Sequence, residues 1–130
     1  MKMLRSILET IYSRAAEEAP LEACGYLAGK DDIITTHYQM TNVDQSETHY
    51  SFDPEEQFRV IKSVRNSGLQ IIAAYHSHPE SPARPSEEDI RLAHDSSIIY
   101  VIVSLESGKT NCGAFTIKNG LVTQEPLEVI

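Results

Sequence analysis

Apolar residues recur at helical spacing in the first part of the chain and then give way to strand-like runs. The helical pattern is carried by Leu4, Ile7, Leu8, Ile11 and Tyr12. It predicts an amphipathic helix over residues 3–16 that ends before Pro20. Residues 22–29 and 33–43 are rich in β-formers, and a Gly-Lys-Asp-Asp turn separates them. We therefore expect the two strands of a hairpin.

A second helical pattern follows the polar residues 44–52, which we interpret as a loop. Asp53 is a suitable N-cap, Pro54 suits the first helical position and Gly68 suits the C-cap. The apolar stripe that we expect to face the core consists of Phe58, Ile61 and Val64. These features predict a helix between the loop and the next apolar run.

The pattern in the remaining half of the chain predicts mostly strands. Residues 69–78 form an apolar run that becomes polar only at its end, which indicates a buried strand. A proline-rich turn and a short helix over 86–95 come next. Three closing strands are predicted over 97–105, 109–120 and 121–130, with a turn at 106–108. The order αββαβαβββ predicts one α/β domain over residues 1–130, with a single mixed β-sheet and flanking helices.

Charge and cysteine content limit the partners and the compartment. The chain of 130 residues has a formal net charge of −8, and its Lys and Arg residues do not cluster, which argues against nucleic-acid binding. Its apolar stretches fall well short of the roughly 20 residues that a membrane span needs. Cys24 and Cys112 are distant in sequence and form no disulfide framework. We expect a cytoplasmic protein that binds neither membrane nor nucleic acid.

Two histidines mark the polar end of the strand at 69–78. Residues two apart on a strand point to the same face, so His76 and His78 present neighbouring imidazoles in a chelating arrangement. An alternative interpretation, about equally favoured by the pair alone, is a strand edge that runs into solvent.

A carboxylate later in the sequence favours a metal site over the solvent-exposed strand edge. Asp89 follows a loop that is stiffened by three prolines, which restrict the conformations available to it. Two His and one carboxylate are a common ligand set for a catalytic zinc with an open position. The alternative is a capping box in which Ser86 and Asp89 only begin a helix. Both roles are compatible if one Asp89 oxygen faces the metal while the other accepts from the N–H of Ser86.

The arrangement Glu22 in LEACGYL, then His76-Ser-His78-Pro, then Ser86-Glu-Glu-Asp89 resembles the JAMM motif of the JAB/MPN metalloprotease family. The resemblance implies a cytidine-deaminase-like fold and covers nearly the whole chain. It assigns zinc binding to His76, His78 and Asp89. It also implies that Glu22 is the general base and that Ser86 stabilises the oxyanion.

The resemblance further implies a substrate. The compact length is similar to that of small prokaryotic members that release an amino acid such as cysteine from the C-terminal Gly-Gly tail of a ubiquitin-like sulfur carrier. About eight residues separate Asp89 from the strand near residue 98, which leaves little room for the insertion that dedicated deubiquitinases carry. A deubiquitinase-like isopeptidase and a non-catalytic zinc-bearing binding module remain alternatives. The sequence leaves open whether the chain forms a homodimer and which metal it uses.

Two other enzyme classes with similar motifs do not match the sequence. An amidohydrolase barrel needs roughly twice this length. A zinc nucleoside deaminase would carry a PCxxC segment, which is absent from the sequence.

Several residues near the motif have simpler interpretations. Cys24 lies two residues beyond Glu22 on the same strand face and could line the site, but we favour a small buried residue. The other histidines, which we interpret as surface or loop residues, are His37, His49 and His94. We expect a carrier to dock along a strand edge close to His78, with the 44–52 loop as a clamp.

Overall fold

Eight strands form one mixed β-sheet in the computed structural model, which describes residues 1–108 and 110–130. The helices are α1 (Arg5–Glu18), α2 (Pro54–Asn66) and α3 (Glu87–Leu92). The strands are β1 (Lys2–Met3), β2 (Cys24–Lys30), β3 (Ile33–Met40), β4 (Gln70–His78), β5 (Ile99–Ser104), β6 (Asn111–Lys118), β7 (Leu121–Glu125) and β8 (Glu128–Val129). None of these helices is long and apolar enough to cross a membrane.

The sheet has the order β7-β6-β5-β4-β2-β3-β1-β8, so β4 lies in its middle. β4 is parallel to β5 and antiparallel to β2. The carboxyl end of β4 therefore meets the amino end of β2, where Cys24 pairs with His76. Both faces of β4 are buried in the middle of the sheet, which explains why its sequence is apolar over most of its length.

A hydrophobic layer covers each face of the sheet. On one face α1 packs Ile11 and Ala15 against strand residues such as Leu27 and Tyr75. On the other face α2 packs against a cluster of Cys24, Tyr26, Met40 and Ala74. The predicted mixed sheet with flanking helices is confirmed, and the helical stripe of the first segment does face the core.

The two ends of the chain differ from the predicted elements. The first helix begins at Arg5 rather than at residue 3, because Met3 is buried and pairs with Ile34 in the sheet. Residues 121–130 form two strands instead of one. Pro126 lies in the break between them, since it has no N–H for a sheet ladder. The second piece, β8, pairs in parallel with β1 at the opposite edge.

The boundaries of the inner elements are close to the predicted ones. Asp53 caps α2 by accepting a hydrogen bond from the N–H of Glu56, as expected, and Gly68 follows the helix with a φ of 72°. The hairpin strands begin at Cys24 and end at Met40, so both are shorter than predicted. The predicted strand over 109–120 starts at residue 111, and Lys109 lies outside the described residues.

One predicted core residue is in solvent. Phe58 is 68% exposed, whereas Val64 on the same helix is 2% exposed. Ile61 packs against the sheet as predicted, together with Val60. The core-facing stripe is therefore centred on Val60, Ile61 and Val64, and only the assignment of Phe58 to the core was wrong.

Candidate metal centre

The two histidines of the motif lie at the buried end of β4. His76 pairs with Cys24 on one side and with Ile102 of β5 on the other, and His78 pairs with Ser104. Both residues are at most 2% exposed. The interpretation of this end as a strand edge running into solvent is therefore wrong.

Asp89 closes a triangle with the two imidazoles. Its Oδ2 lies 3.1 Å from Nε2 of His76 and 2.9 Å from Nε2 of His78, and the two Nε2 atoms are 3.1 Å apart. The Asp89 side chain is 6% exposed. The structure thus brings the three predicted ligands together at one buried point.

A capping box holds Asp89 in place at the start of α3. Oγ of Ser86 accepts a hydrogen bond of 3.0 Å from the N–H of Asp89, and the N–H of Ser86 donates to Oδ2 of Asp89 at 3.0 Å. The expectation of two separate Asp89 oxygens was wrong, because Oδ2 faces the histidines and also accepts from Ser86. Capping and ligand placement therefore depend on the same atom.

The imidazoles are oriented by different contacts. Nδ1 of His78 lies 2.8 Å from the carbonyl oxygen of Pro82. A carbonyl only accepts, so Nδ1 carries the proton and Nε2 keeps its lone pair for a metal. Nδ1 of His76 is buried and has no hydrogen-bond partner among the described residues. The ring of Tyr50 instead stacks on His76, with centroids 4.7 Å apart and planes 28° apart.

Glu22 lies just before β2 and next to the histidines. The residue is 2% exposed, and its Oε1 has no hydrogen-bond partner among the described residues. Burial raises the pKa of the Glu22 carboxyl to about 8, partly offset by His78 and reinforced by Asp89. This buried carboxyl lies beside two imidazoles, and one of its oxygens is available to a water molecule. It is therefore suited to exchange a proton with that water.

The middle residue of His-Ser-His connects Glu22 to β4. The N–H of Ala23 donates to Oγ of Ser77 at 2.7 Å, and the N–H of Ser77 donates to the carbonyl of Ala23 at 3.0 Å. This pair of bonds fixes the backbone next to Glu22 against the strand that carries the histidines.

The electrostatics of the triangle favour an anionic carboxylate beside imidazoles. Burial alone would raise the pKa of Asp89, but its hydrogen bonds with the two histidines lower it below the ordinary value. Burial lowers the pKa of His76. Burial also disfavours the charged form of His78, but its bonds to Asp89 and to the Pro82 carbonyl raise the pKa. The site therefore combines an anionic carboxylate with two imidazoles, of which His78 binds a proton more readily than His76.

These donors fit a divalent cation. Three ligating atoms of a tetrahedral zinc site would be about 3.3 Å apart, given bond lengths of about 2 Å. The observed separations of 2.9 to 3.1 Å are close to this value. The Oε1 of Glu22, to which none of the described residues bonds, supplies an acceptor for a water molecule at an open position. The residues present thus match a catalytic rather than a closed structural site.

A cavity of about 430 Å³ opens beside His76 and Asp89. Its aromatic walls consist of Tyr26, Tyr50, Phe52 and Tyr100. His49 and His94 also line it, although sequence reasoning placed them only in loops. The contribution of Tyr50 was missed altogether, because it lies in a polar loop without motif spacing.

Three further expectations can be compared with the structure. Cys24 is fully buried with Tyr26 and Met40, which confirms the buried-residue interpretation. His37 is not a loop residue, because it lies on β3 with Nε2 3.1 Å from the Tyr75 hydroxyl. For the third, carrier docking along a strand edge close to His78, the structure shows β2 and β5 on the two sides of β4, and the docking itself stays a prediction.

Comparison with known proteins gives a family and several relatives. Residues 4–118 match the family model described as prokaryotic homologs of the JAB domain. The CysO-cysteine peptidase of Mycobacterium tuberculosis is 33% identical over 127 residues, covering 95% of this chain and 87% of that protein. The desampylase of Haloferax volcanii is 34% identical over 81% of this chain and 78% of its own length. The probable TtuB-protein conjugate cleaving protease of Thermus thermophilus is 37% identical, with 89% and 75% covered.

Solved structures share the fold. The solution structure of a protein from Desulfitobacterium hafniense is 40% identical with a TM-score of 0.91, covering 100% of this chain and 93% of that chain. A JAB1/MPN domain protein from Archaeoglobus fulgidus is 24% identical with a TM-score of 0.70, covering 100% and 99%. The JAB/MPN fold implied by the sequence motif is thereby confirmed.

Proposed function

The chain belongs to the family of prokaryotic homologs of the JAB domain, and on that premise we propose that it is a zinc-dependent peptidase acting on a ubiquitin-like sulfur carrier. It is a hydrolase of the JAMM type, in line with its peptidase and desampylase relatives. The bond cleaved would be the peptide-type bond that follows the C-terminal Gly-Gly of the carrier. The product would be the carrier with a free Gly-Gly end and an amino acid such as cysteine, or a short extension.

One observation carries this proposal. Three ligating atoms of His76, His78 and Asp89 lie within 4.8 Å of one another. The buried carboxyl of Glu22 is next to them, and its Oε1 has no hydrogen-bond partner in the part of the chain that the structure describes. A structural zinc site normally closes with four protein ligands. Three ligands and an adjacent base therefore favour hydrolysis over a purely structural metal.

Each residue has a distinct role in the proposed reaction. A bound zinc ion would polarise the scissile carbonyl and make a water molecule acidic enough to react at neutral pH. The ionised form of Glu22, which a cation at the adjacent site would favour over the protonated form, takes the proton of that water and later delivers it to the departing amine. The hydroxyl of Ser86 donates to the oxyanion that develops on the carbonyl. Asp89 is held by the capping box and stays anionic, which preserves the ligand geometry.

The cavity beside His76 and Asp89 supports a protein tail as substrate. Its walls come from the 44–52 loop and the segment after α3, so the loop keeps the proposed clamp role. An extended Gly-Gly segment has no side chains to obstruct approach to the buried triangle. We also propose that residues 1–130 act as one JAMM/MPN-type domain, since strands from both chain ends join the same sheet.

The test uses a ubiquitin-like carrier that ends in Gly-Gly-Cys and the protein loaded with one equivalent of Zn²⁺. Intact-mass analysis should show loss of the terminal cysteine residue. Glu22→Gln should bind the same amount of zinc and lose turnover, because only the base is removed. A carrier with Ala-Ala in place of Gly-Gly should be cleaved much more slowly.

Different outcomes separate the alternatives. Absence of stoichiometric zinc binding by the wild-type chain would contradict the whole proposal. The names of the desampylase and the conjugate cleaving protease favour a second candidate, an isopeptidase acting on conjugated proteins. Cleavage of a lysine-linked conjugate without cleavage of the linear Gly-Gly-Cys carrier would support that second candidate. Zinc binding without cleavage of either substrate would indicate a binding module.

A further inference from the structure

The loop over residues 42–52 contacts the backbone of Glu22 and the ring of His76. His76 lies on β4 and Glu22 lies just before β2, and the two residues have different roles in the proposed reaction. A single loop that touches both can set their relative position.

Asn42 connects this loop to Glu22. Its Nδ2 donates to the carbonyl of Glu22 at 3.1 Å and to the carbonyl of His49 at 3.0 Å. Its Oδ1 accepts from the N–H of Asp44 at 3.1 Å. On the other side of Glu22, its own N–H donates to the carbonyl of Ser46 at 2.9 Å. Both backbone polar groups of Glu22 are therefore bonded to the loop.

Tyr50 connects the same loop to His76. The carbonyl of Pro82 fixes the ring of His78, but Nδ1 of His76 has no such acceptor among residues 1–108 and 110–130. The face of His76 is covered by Tyr50 at a centroid distance of 4.7 Å. Phe52 packs against Tyr50 at 5.5 Å and against Tyr26 at 4.9 Å, which anchors the stacked ring to the sheet.

We propose that Tyr50 and Asn42 are positioning residues, Tyr50 for the metal ligand His76 and Asn42 for the base Glu22. Stacking holds the imidazole plane so that Nε2 points toward Nε2 of His78 and Oδ2 of Asp89. The Asn42 amide holds the backbone that carries the Glu22 carboxyl. This inference rests on the proposed function, because it assigns roles relative to that metal and that base.

Metal binding tests the role of Tyr50 without any substrate. Tyr50→Leu removes the stacked ring, and Tyr50→Phe keeps it. We expect Tyr50→Leu to weaken Zn²⁺ binding about two- to tenfold in a chelator competition, the size of an aromatic pair contribution. Tyr50→Phe should bind as the wild type does. With Co²⁺ in place of zinc, the visible absorption spectrum should change for the leucine variant only, because the ligand field depends on imidazole orientation.

Steady-state kinetics test the role of Asn42. Asn42→Ala should lower kcat about ten- to hundredfold, since misplacing a reacting group by about 1 Å has an effect of that order. Zinc affinity should stay within about twofold of the wild type, because Asn42 bonds to none of the three ligand side chains. Thr48→Ala is a matched control in the same loop, since within residues 1–108 and 110–130 the Thr48 hydroxyl forms its hydrogen bond with Ser46 and none with Glu22 or His76. That control should leave kcat and zinc affinity unaltered.

The two proposals fail in different ways. If the wild-type chain binds no zinc, the proposed function is wrong. If it binds zinc and cleaves the carrier while Tyr50→Leu has an unaltered affinity and Co²⁺ spectrum, the role of Tyr50 is wrong and the proposed function stands. If the folded fraction of Asn42→Ala keeps the wild-type kcat, Asn42 only stabilises the loop and its positioning role is wrong.

Discussion

Substitution of Ser86 by alanine separates its two proposed roles. The side chain is the N-cap of α3, where Oγ accepts from the N–H of Asp89 at 3.0 Å. Loss of such a cap costs about 1 kcal/mol of stability. For a chain of 130 residues, this corresponds to a decrease in melting temperature of roughly 3 to 5 °C. The other bond of the capping box, from the backbone N–H of Ser86 to Oδ2 of Asp89, does not involve the Ser86 side chain and should persist in the variant.

The effect on catalysis should be larger than the effect on stability. Accepting from Asp89 uses a lone pair of Oγ, so the O–H of Ser86 is still able to donate to an oxyanion. Loss of one such donor typically lowers kcat by about 10²- to 10³-fold, or about 2.7 to 4 kcal/mol of barrier. Ser86→Ala should therefore lose at least a hundredfold in kcat while losing only about 1 kcal/mol of folding free energy.

Glycine at the same position provides a matched control. Gly is tolerated at N-cap positions at a cost of only a few tenths of a kcal/mol. Ser86→Gly should thus melt close to the wild type and yet be as inactive as Ser86→Ala. Carrier cleavage by intact mass gives kcat, and calorimetry gives the melting temperature. Retention of wild-type kcat by either variant would refute the oxyanion role and leave Ser86 as a helix cap.

Three further predictions concern the metal, the thiols and the core. Excess Zn²⁺ at 100 times its dissociation constant should stabilise the chain by about 2.7 kcal/mol in thermal melts, and Asp89→Ala should abolish that shift. Burial raises the pKa of both thiols, Cys24 and Cys112, to about 12. A thiol reagent at pH 8 should therefore modify native protein at least about 100-fold more slowly than urea-unfolded protein. Phe58→Ala should change the free energy of unfolding by less than about 0.5 kcal/mol, whereas Ile11→Ala should lower it by about 2 to 5 kcal/mol; urea titrations that rank them the other way would contradict the burial argument.

The parts of the site that the sequence predicts are those with local geometry. His76 and His78 share a face because strand side chains alternate, and that holds wherever the strand lies in the sheet. Ser86 and Asp89 meet because a capping box joins positions three residues apart. Each pair needs only its own element to form. The fold class followed similarly from the order of helices and strands.

The parts that the sequence did not predict depend on tertiary packing. Tyr50 contacts His76 across 26 residues of sequence from within a loop, and no periodic pattern marks it. The exposure of Phe58 reflects the rotation of α2 on the sheet, which is decided by neighbours such as Tyr26 and Ile71. The crossing of β8 to the far edge depends on pairing with β1, a strand of only two residues. A hydrophobicity pattern contains none of this information.

The position of Glu22 depends both on the local geometry of the strands and on tertiary packing. Its place beside His76 follows from the antiparallel register in which Cys24 pairs with His76. That register is fixed because both faces of β2 are buried, and a slip of one residue would exchange the side chains that face the two layers. The separation of 54 residues between Glu22 and His76 is set by everything folded between them, including the hairpin, the 42–52 loop and α2. The spacing within His-x-His and Ser-x-x-Asp is therefore constrained by local geometry. The distance to the glutamate is constrained by the sheet and by the bonds from the 42–52 loop to its backbone. Residues can therefore be inserted or lost elsewhere between Glu22 and His76 without moving the base from the metal.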